Sequence, residues 1–323
     1  MKVLFINKFL DKEAIYRDPL GIMTLAAMVR PKHKIFVIEP VREDIQKRMD
    51  EIQPDVIAYS LRTGYHRYYI DLNLKLKKKY KFISIFGGPH VTFYPNVINE
   101  EGVDTICQGE ADEAFAEFID VLEKGGDISK VKNFWVKTRD GIVKNEKRPL
   151  NPNLDTIPFP DREMFDDYEE VRIAKVHSFI ASRGCPFKCT YCGNMVLKDN
   201  YKKSGVNFKY RHKSPKKFVE QLKHMKDHYG IEIINIADGT FVAQKVDVLE
   251  EVAELYIRDV NLPFFCDATV TCFDKSGKKA KLLHSMGCSC VNIGLETADE
   301  DYRKKYMDRP GSMSNTQIVK AFL

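Results

Sequence analysis

Along the first 124 residues, short runs of β-branched and apolar residues alternate with stretches of helical amphipathic spacing. KVLFIN (2–7), KIFVIE (34–39), DVIAYS (55–60), FISIF (82–86) and DTIC (104–107) are each followed by a helix-like segment. That rhythm predicts βαβ units and a parallel sheet covered on both faces. Five such units fit a flavodoxin-like, doubly wound α/β domain, whose ligands lie outside the carboxyl ends of the strands. Residues 131–146 then alternate apolar and polar positions around Asp140-Gly141, a hairpin signal. Pro149, Pro152, Pro158 and Pro160 follow within a dozen residues, the composition of a semi-rigid linker. The expected organisation is a doubly wound domain over 1–130, a hairpin and Pro-rich linker over 131–175, and a second domain over 176–323.

A second βα rhythm starts at VHSFIAS (176–182). It continues with a helix from Ser214-Pro215, a strand at IEIINIADGTF (231–241), a helix over 245–259, a strand at LPFFCDATV (262–270), a helix ending at Gly287 and a strand at CSCVNIGLE (288–296). Ser followed by Pro is a favoured helix start. Four βα units do not close an eight-stranded barrel, so the second domain is read as a partial barrel whose chain stops after four units.

Composition changes this picture little. The 323 residues are 44% apolar and 30% charged, as in a globular protein, and 51 Lys plus Arg against 46 Asp plus Glu give a net charge of +5. That balance does not argue for a nucleic-acid partner. Two basic runs, 74–81 and 202–217, are read either as solvated faces or as a mouth for an anionic substrate. No apolar stretch approaches the roughly 20 residues of a membrane span, and the N-terminus reads as a first strand rather than a signal peptide. A cytoplasmic location is the expectation.

Eight cysteines in such a chain should be reduced. Cys107, Cys266, Cys272, Cys288 and Cys290 lie in or beside apolar runs and are expected to be packed as small hydrophobes. The other three form a C-x3-C-x2-C pattern in SRGCPFKCTYCGN (182–194), in the loop after a strand. Structural zinc wants four ligands, usually in two pairs. No second pair stands at that spacing, so zinc would need a distant fourth ligand. An iron-sulfur cluster normally takes four thiolates, and three leave one iron open to a substrate or cofactor. Packing of the three thiols is the remaining alternative.

The pattern Cys185-x3-Cys189-x2-Cys192, with Tyr191 before the last cysteine, resembles the radical S-adenosylmethionine (SAM) superfamily. The resemblance implies a 4Fe-4S cluster on Cys185, Cys189 and Cys192, whose open iron chelates SAM and whose electron cleaves it to a 5′-deoxyadenosyl radical. NIADGTF resembles the motif that receives the SAM amino group, at Asp238 and Gly239, and MGCSCVNIGLET resembles the fourth-strand motif, with Glu296 directed at SAM. In the first domain, DPLGIMTLAAMV with Leu20 and Gly21, SLRTG with Ser60, Arg62 and Thr63, GGPHVTFYP with Gly87, Gly88 and His90, and the pair Gly109-Glu110 resemble the cobalamin-binding domain of one radical SAM subclass. Those residues are then the expected cobalamin contacts. No D-x-H-x-x-G motif occurs, so base-off cobalt is implied, with His90 near the corrin rather than on cobalt; Thr269 stands where many relatives carry Arg. The subclass implies methyl transfer to a small-molecule or peptide substrate, or alternatively cyclisation or rearrangement. It also implies an electron donor such as flavodoxin or ferredoxin. A cofactor-binding chain without turnover is the third reading.

Overall fold

The computed structural model describes residues 1–9, 18–309 and 313–320. Residues 10–17 of the loop after the first strand lie outside them. The chain forms two compact units, one of Met1–Leu150, Ile157–Arg172 and Asp199–Asn207, the other of Asn151–Thr156, Ile173–Lys198 and Phe208–Leu323.

In the first unit, β1 (Lys2–Ile6), β2 (Lys34–Ile38), β3 (Val56–Ser60), β4 (Ile83–Gly87) and β5 (Thr105–Cys107) alternate with α1 (Leu20–Val29), α2 (Ile45–Ile52), α3 (His66–Lys77), α4 (Pro89–Phe93) and α5 (Asp112–Glu123). The sheet runs β2-β1-β3-β4-β5, all parallel, the doubly wound order expected. Successive side chains of a strand point to opposite faces. Val3, Phe5, Val56 and Ala58 accordingly join a core with Met23, Phe115 and Phe118, while Leu4, Ile6, Ile57 and Tyr59 join a second core with Met49, Ile70 and Phe86. The near-continuous apolar strands follow from burial on both faces.

The hairpin β6 (Phe134–Thr138) and β7 (Gly141–Lys144) extends this sheet antiparallel to β5. The proline-rich segment is not a free spacer. Phe165 is fully buried in the first core, Arg162 pairs with the buried Asp18, and Asp161 pairs with Arg30. Apolar side chains directly after the prolines, continuing into the short α6 (Glu169–Arg172), override linker composition.

The second unit has a four-stranded parallel sheet, β8 (Val176–Phe179), β11 (Ile233–Ile236), β12 (Phe264–Ala268) and β13 (Cys288–Ile293), in that order across the sheet. It carries α8 (Pro215–Tyr229), α9 (Val246–Asp259) and α10 (Lys278–Ser285). Ser214 caps α8, its hydroxyl accepting from Lys217 N–H at 3.1 Å, and Gly230 ends it in the left-handed region. After β8 come features with no strong periodic signature: the ladder of β9 (Ser182–Arg183) with β10 (Arg211–His212), and α7 (Gly193–Lys203). The helices α11 (Glu300–Tyr306) and α12 (Asn315–Lys320) follow β13. As β13 is an edge strand, Cys290 is exposed and Cys288 half-buried, which corrects the expectation that both pack inside; Cys107, Cys266 and Cys272 are buried. Among the described residues, no helix is long and apolar enough to cross a membrane.

Candidate functional site

The three cysteines sit at the carboxyl end of β8. Cys189 is buried and Cys185 and Cys192 half-buried. Cys192 N–H donates to Cys189 O at 3.0 Å, closing the turn that leads into α7. Burial pushes the Cys185 thiol above its ordinary pKa, against a hydrogen bond from Phe187 N–H and the Lys198 ammonium; the charges of Cys189 and Cys192 add to the rise, so the three sulfurs share one field. Among the described residues, no three His, Cys, Asp or Glu side chains converge as a single metal ion requires. A lone ion holds thiolates about 2.3 Å from one point, whereas a cluster spreads them over separate irons. The soft donor set fits the cluster.

A buried carboxyl and a half-buried lysine hold the chain leading to these cysteines. Asp238, at the end of β11, is 2% exposed; it accepts from Ala181 N–H at 2.7 Å and from the Ser182 hydroxyl. Burial raises its carboxyl to about 6, against those hydrogen bonds and the nearby Lys213. Lys213 donates to Ile180 O at 2.9 Å and to Gln221 Oε1 at 2.6 Å, and burial lowers its ammonium to about 8. The Asp238 side chain therefore braces the cysteine loop, where the sequence motif led to an expectation of SAM contact. Gly239 is exposed, and a Cβ there would stand 4.0 Å from the Cβ of Cys185.

At the end of β13, Glu296 adopts φ +69°, a left-handed conformation costing an L-residue about 1–2 kcal/mol. Gly294 makes room for it, since a Cβ there would fall on the Glu296 carboxylate. Arg309 bridges Glu296 to the cysteine loop, with Nη1 at 3.1 Å from Glu296 Oε1 and 2.5 Å from Tyr191 Oη, and Nη2 donating to Gly294 O at 2.5 Å. Thr190 adds a second tie, its N–H donating to Met307 O at 3.1 Å and its hydroxyl to Tyr306 O at 2.7 Å. Tyr191 and Glu296, both expected from sequence, are thus joined by an arginine that no local pattern marks.

In the first unit the expected residues collect at the carboxyl ends of β3, β4 and β5 and at the start of α1, and their roles divide. Gly88, at φ +90°, lies where a Cβ would meet Leu61 N and O at 2.9 Å. Gly109, at φ +76°, lies where one would fall on the Tyr201 hydroxyl, which accepts from Glu110 N–H at 2.7 Å. The chain's own packing thus requires these two glycines. Gly87 makes only ordinary contact, and nothing lies within 4 Å of a Cβ at Gly21. Leu20 packs at the edge of the core, Ser60 closes β3, and Arg62 and Thr63 are exposed. His90 is buried, its Nδ1 3.0 Å from Thr63 Oγ1 and its ring stacked on His66 at 4.0 Å. Burial and then the His66 charge hold its pKa below the ordinary value. The open ground at Gly21 and the exposed Arg62 and Thr63 fit an extended ligand better than Gly88 or Gly109 do.

A doubly wound sheet, followed by an open parallel sheet whose first strand delivers three cysteines into one loop, defines a two-part α/β cofactor-binding chain. Residues 16–119 match the model of the B12 binding domain and residues 179–321 that of the radical SAM superfamily. The chain belongs to the radical SAM superfamily and carries a B12-binding domain ahead of the radical SAM domain. The first of these domains takes cobalamin, the second a 4Fe-4S cluster and SAM. An uncharacterized methyltransferase of Pyrococcus horikoshii is 30% identical over 292 residues, covering 87% of this chain and 61% of that protein. The anaerobic magnesium-protoporphyrin IX monomethyl ester cyclase of Synechocystis is 26% identical over 341 residues, covering 98% and 64%. The cobalamin-dependent S-adenosylmethionine radical enzyme OxsB has the same fold over 99% of this chain and 46% of its own, with a TM-score of 0.80 at 19% identity. The chain spans about three fifths of the length of these two curated relatives.

Proposed function

We propose that this chain is the cofactor-binding part of a cobalamin-dependent radical SAM methyltransferase acting on a small-molecule or peptide substrate. The observation that carries the reading is the loop of Cys185, Cys189 and Cys192 at the carboxyl end of β8, three soft donors within eight residues of chain. When bound, the cluster supplies the electron that cleaves SAM, and cobalamin carries the methyl group. The chain's own residues bind and orient. Cys185, Cys189 and Cys192 hold the cluster, with Asp238 and Lys213 keeping the entering strand rigid. Gly239 leaves space beside Cys185 for SAM, and Glu296 and Tyr191 face it from the ends of β13 and of the cysteine loop. Gly21, Ser60, Arg62, Thr63 and His90 line the cobalamin end of the first unit, with Leu20, Gly87, Gly88, Gly109 and Glu110 shaping its walls. Flavodoxin or ferredoxin fits as electron donor, and a cytoplasmic setting suits reduced thiols.

A cyclase reading is favoured by one observation, the Synechocystis cyclase that aligns over 98% of this chain. One experiment separates the two. Anaerobically reconstituted protein with cobalamin, SAM and a reductant should convert SAM to both 5′-deoxyadenosine and S-adenosylhomocysteine if it methylates, and to 5′-deoxyadenosine alone if it cyclises. Zinc in place of iron would overturn both.

A further inference from the structure

The arginine between Tyr191 and Glu296 goes beyond the roles assigned so far. Its side chain is only 12% exposed, and its guanidinium donors are divided among a phenol, a backbone carbonyl and a carboxylate. The phenol belongs to the cysteine loop, between Cys189 and Cys192. The carbonyl and the carboxylate belong to the turn after β13, where Gly294 leaves room for Glu296 and Glu296 is left-handed. A side chain in a strained backbone position points reliably in one direction only if its surroundings hold it there. Arg309 is the charged group that does so, and its planar fork reaches Gly294 O and the carboxylate together. It also borders a cleft lined by Thr269, Ile293, Gly294, Arg303 and Met313, so one edge of the group faces open space.

We propose that Arg309 is a positioning residue, holding the Glu296 carboxylate and the Tyr191 hydroxyl together so that the end of β13 and the cysteine loop present one fixed surface to SAM. The proposal rests on the reading above that Glu296 faces SAM. Its consequence is that Arg309 acts on SAM through Glu296, leaving cluster assembly to the cysteines.

Equilibrium dialysis of SAM against the anaerobically reconstituted protein, with iron measured on the same samples, tests this. Arg309→Ala should weaken SAM binding about tenfold, the effect of losing one charge-assisted hydrogen bond, with iron content and unfolding midpoint unchanged. Arg309→Lys keeps the charge and loses the fork, and should recover part of the affinity. Arg309→Ala combined with Glu296→Gln should bind SAM no more weakly than Glu296→Gln alone, because one residue acts through the other. Losses that multiply, or Arg309→Ala binding SAM like the native protein, would overturn the proposal; if the alanine variant fails to fold, Arg309→Lys alone and with Glu296→Gln gives the same comparison. A native protein that holds iron but no SAM, or no iron, would instead sink the reading beneath it.

Discussion

Asp238 offers a quantitative test of how the cysteine loop is held. Its carboxyl is raised by burial from the ordinary 3.8 to about 6. A raised carboxyl pKa means the folded state binds the proton more tightly than the unfolded chain does. Its contribution is therefore most favourable below about pH 4 and is lost as pH rises through about 6. At about 1.36 kcal/mol for each pH unit, the gap between 3.8 and about 6 corresponds to about 3 kcal/mol. Asp238→Asn removes the titration and preserves the acceptor for Ala181 N–H. Other carboxyls titrate identically in both proteins, so the difference between them isolates this residue. Urea unfolding read by hydrogen exchange in a peptide spanning 176–192 should show the native protein losing about 2.4 kcal/mol of that relative to Asp238→Asn between pH 4 and pH 7. Parallel curves over that range, or a native protein that gains on the variant as pH rises, would refute a carboxylate held at a net cost against the loop.

Further outcomes follow from the same contacts. Gly109→Ala and Gly88→Ala, each placing a Cβ against protein atoms at positive φ, should destabilise the first unit by about 1–3 kcal/mol, whereas Gly21→Ala should leave the unfolding midpoint unchanged and weaken cobalamin binding in a dialysis assay. Tyr201→Phe should cost the first unit about 1 kcal/mol in urea unfolding, since it deletes the acceptor of Glu110 N–H. Arg162→Ala should cost that unit about 3–5 kcal/mol in the same assay, because it takes the guanidinium out of the buried pair with Asp18.

Much of the fold was legible because burial leaves periodic traces. Each βα unit of both domains stands where apolar runs and helical spacing place it, and Asp140-Gly141 marks the turn between β6 and β7. The helix α7 left no such trace, since Tyr201 is its one fully buried residue and Asn194, Asp199 and Asn200 interrupt any apolar face. The packed segment after the prolines was missed for a related reason: Met164, Phe165 and Tyr168 are too few to show a period. At the site, cysteine spacing and strand-end position pointed to the loop. They could not tell that the Asp238 carboxylate turns inward to Ala181 and Ser182, that Gly109 serves Tyr201, 92 residues on, or that Arg309 joins Tyr191 to Glu296 across 118 residues of chain. Those are tertiary choices, settled by which buried polar groups find partners.

Everything proposed for the second unit depends on Cys185, Cys189 and Cys192 together holding an iron-sulfur cluster with one open position. Iron and sulfide analysis of the anaerobically reconstituted protein tests it most directly, with each of the three cysteines replaced by alanine in turn and Cys290→Ser as control. About four irons and four sulfides per chain are expected in the native protein and the control, with their loss in each alanine variant and a change in the cluster's electron paramagnetic resonance spectrum when SAM is added to the reduced native protein. Full iron content in any of the three alanine variants, or a native spectrum indifferent to SAM, would contradict it.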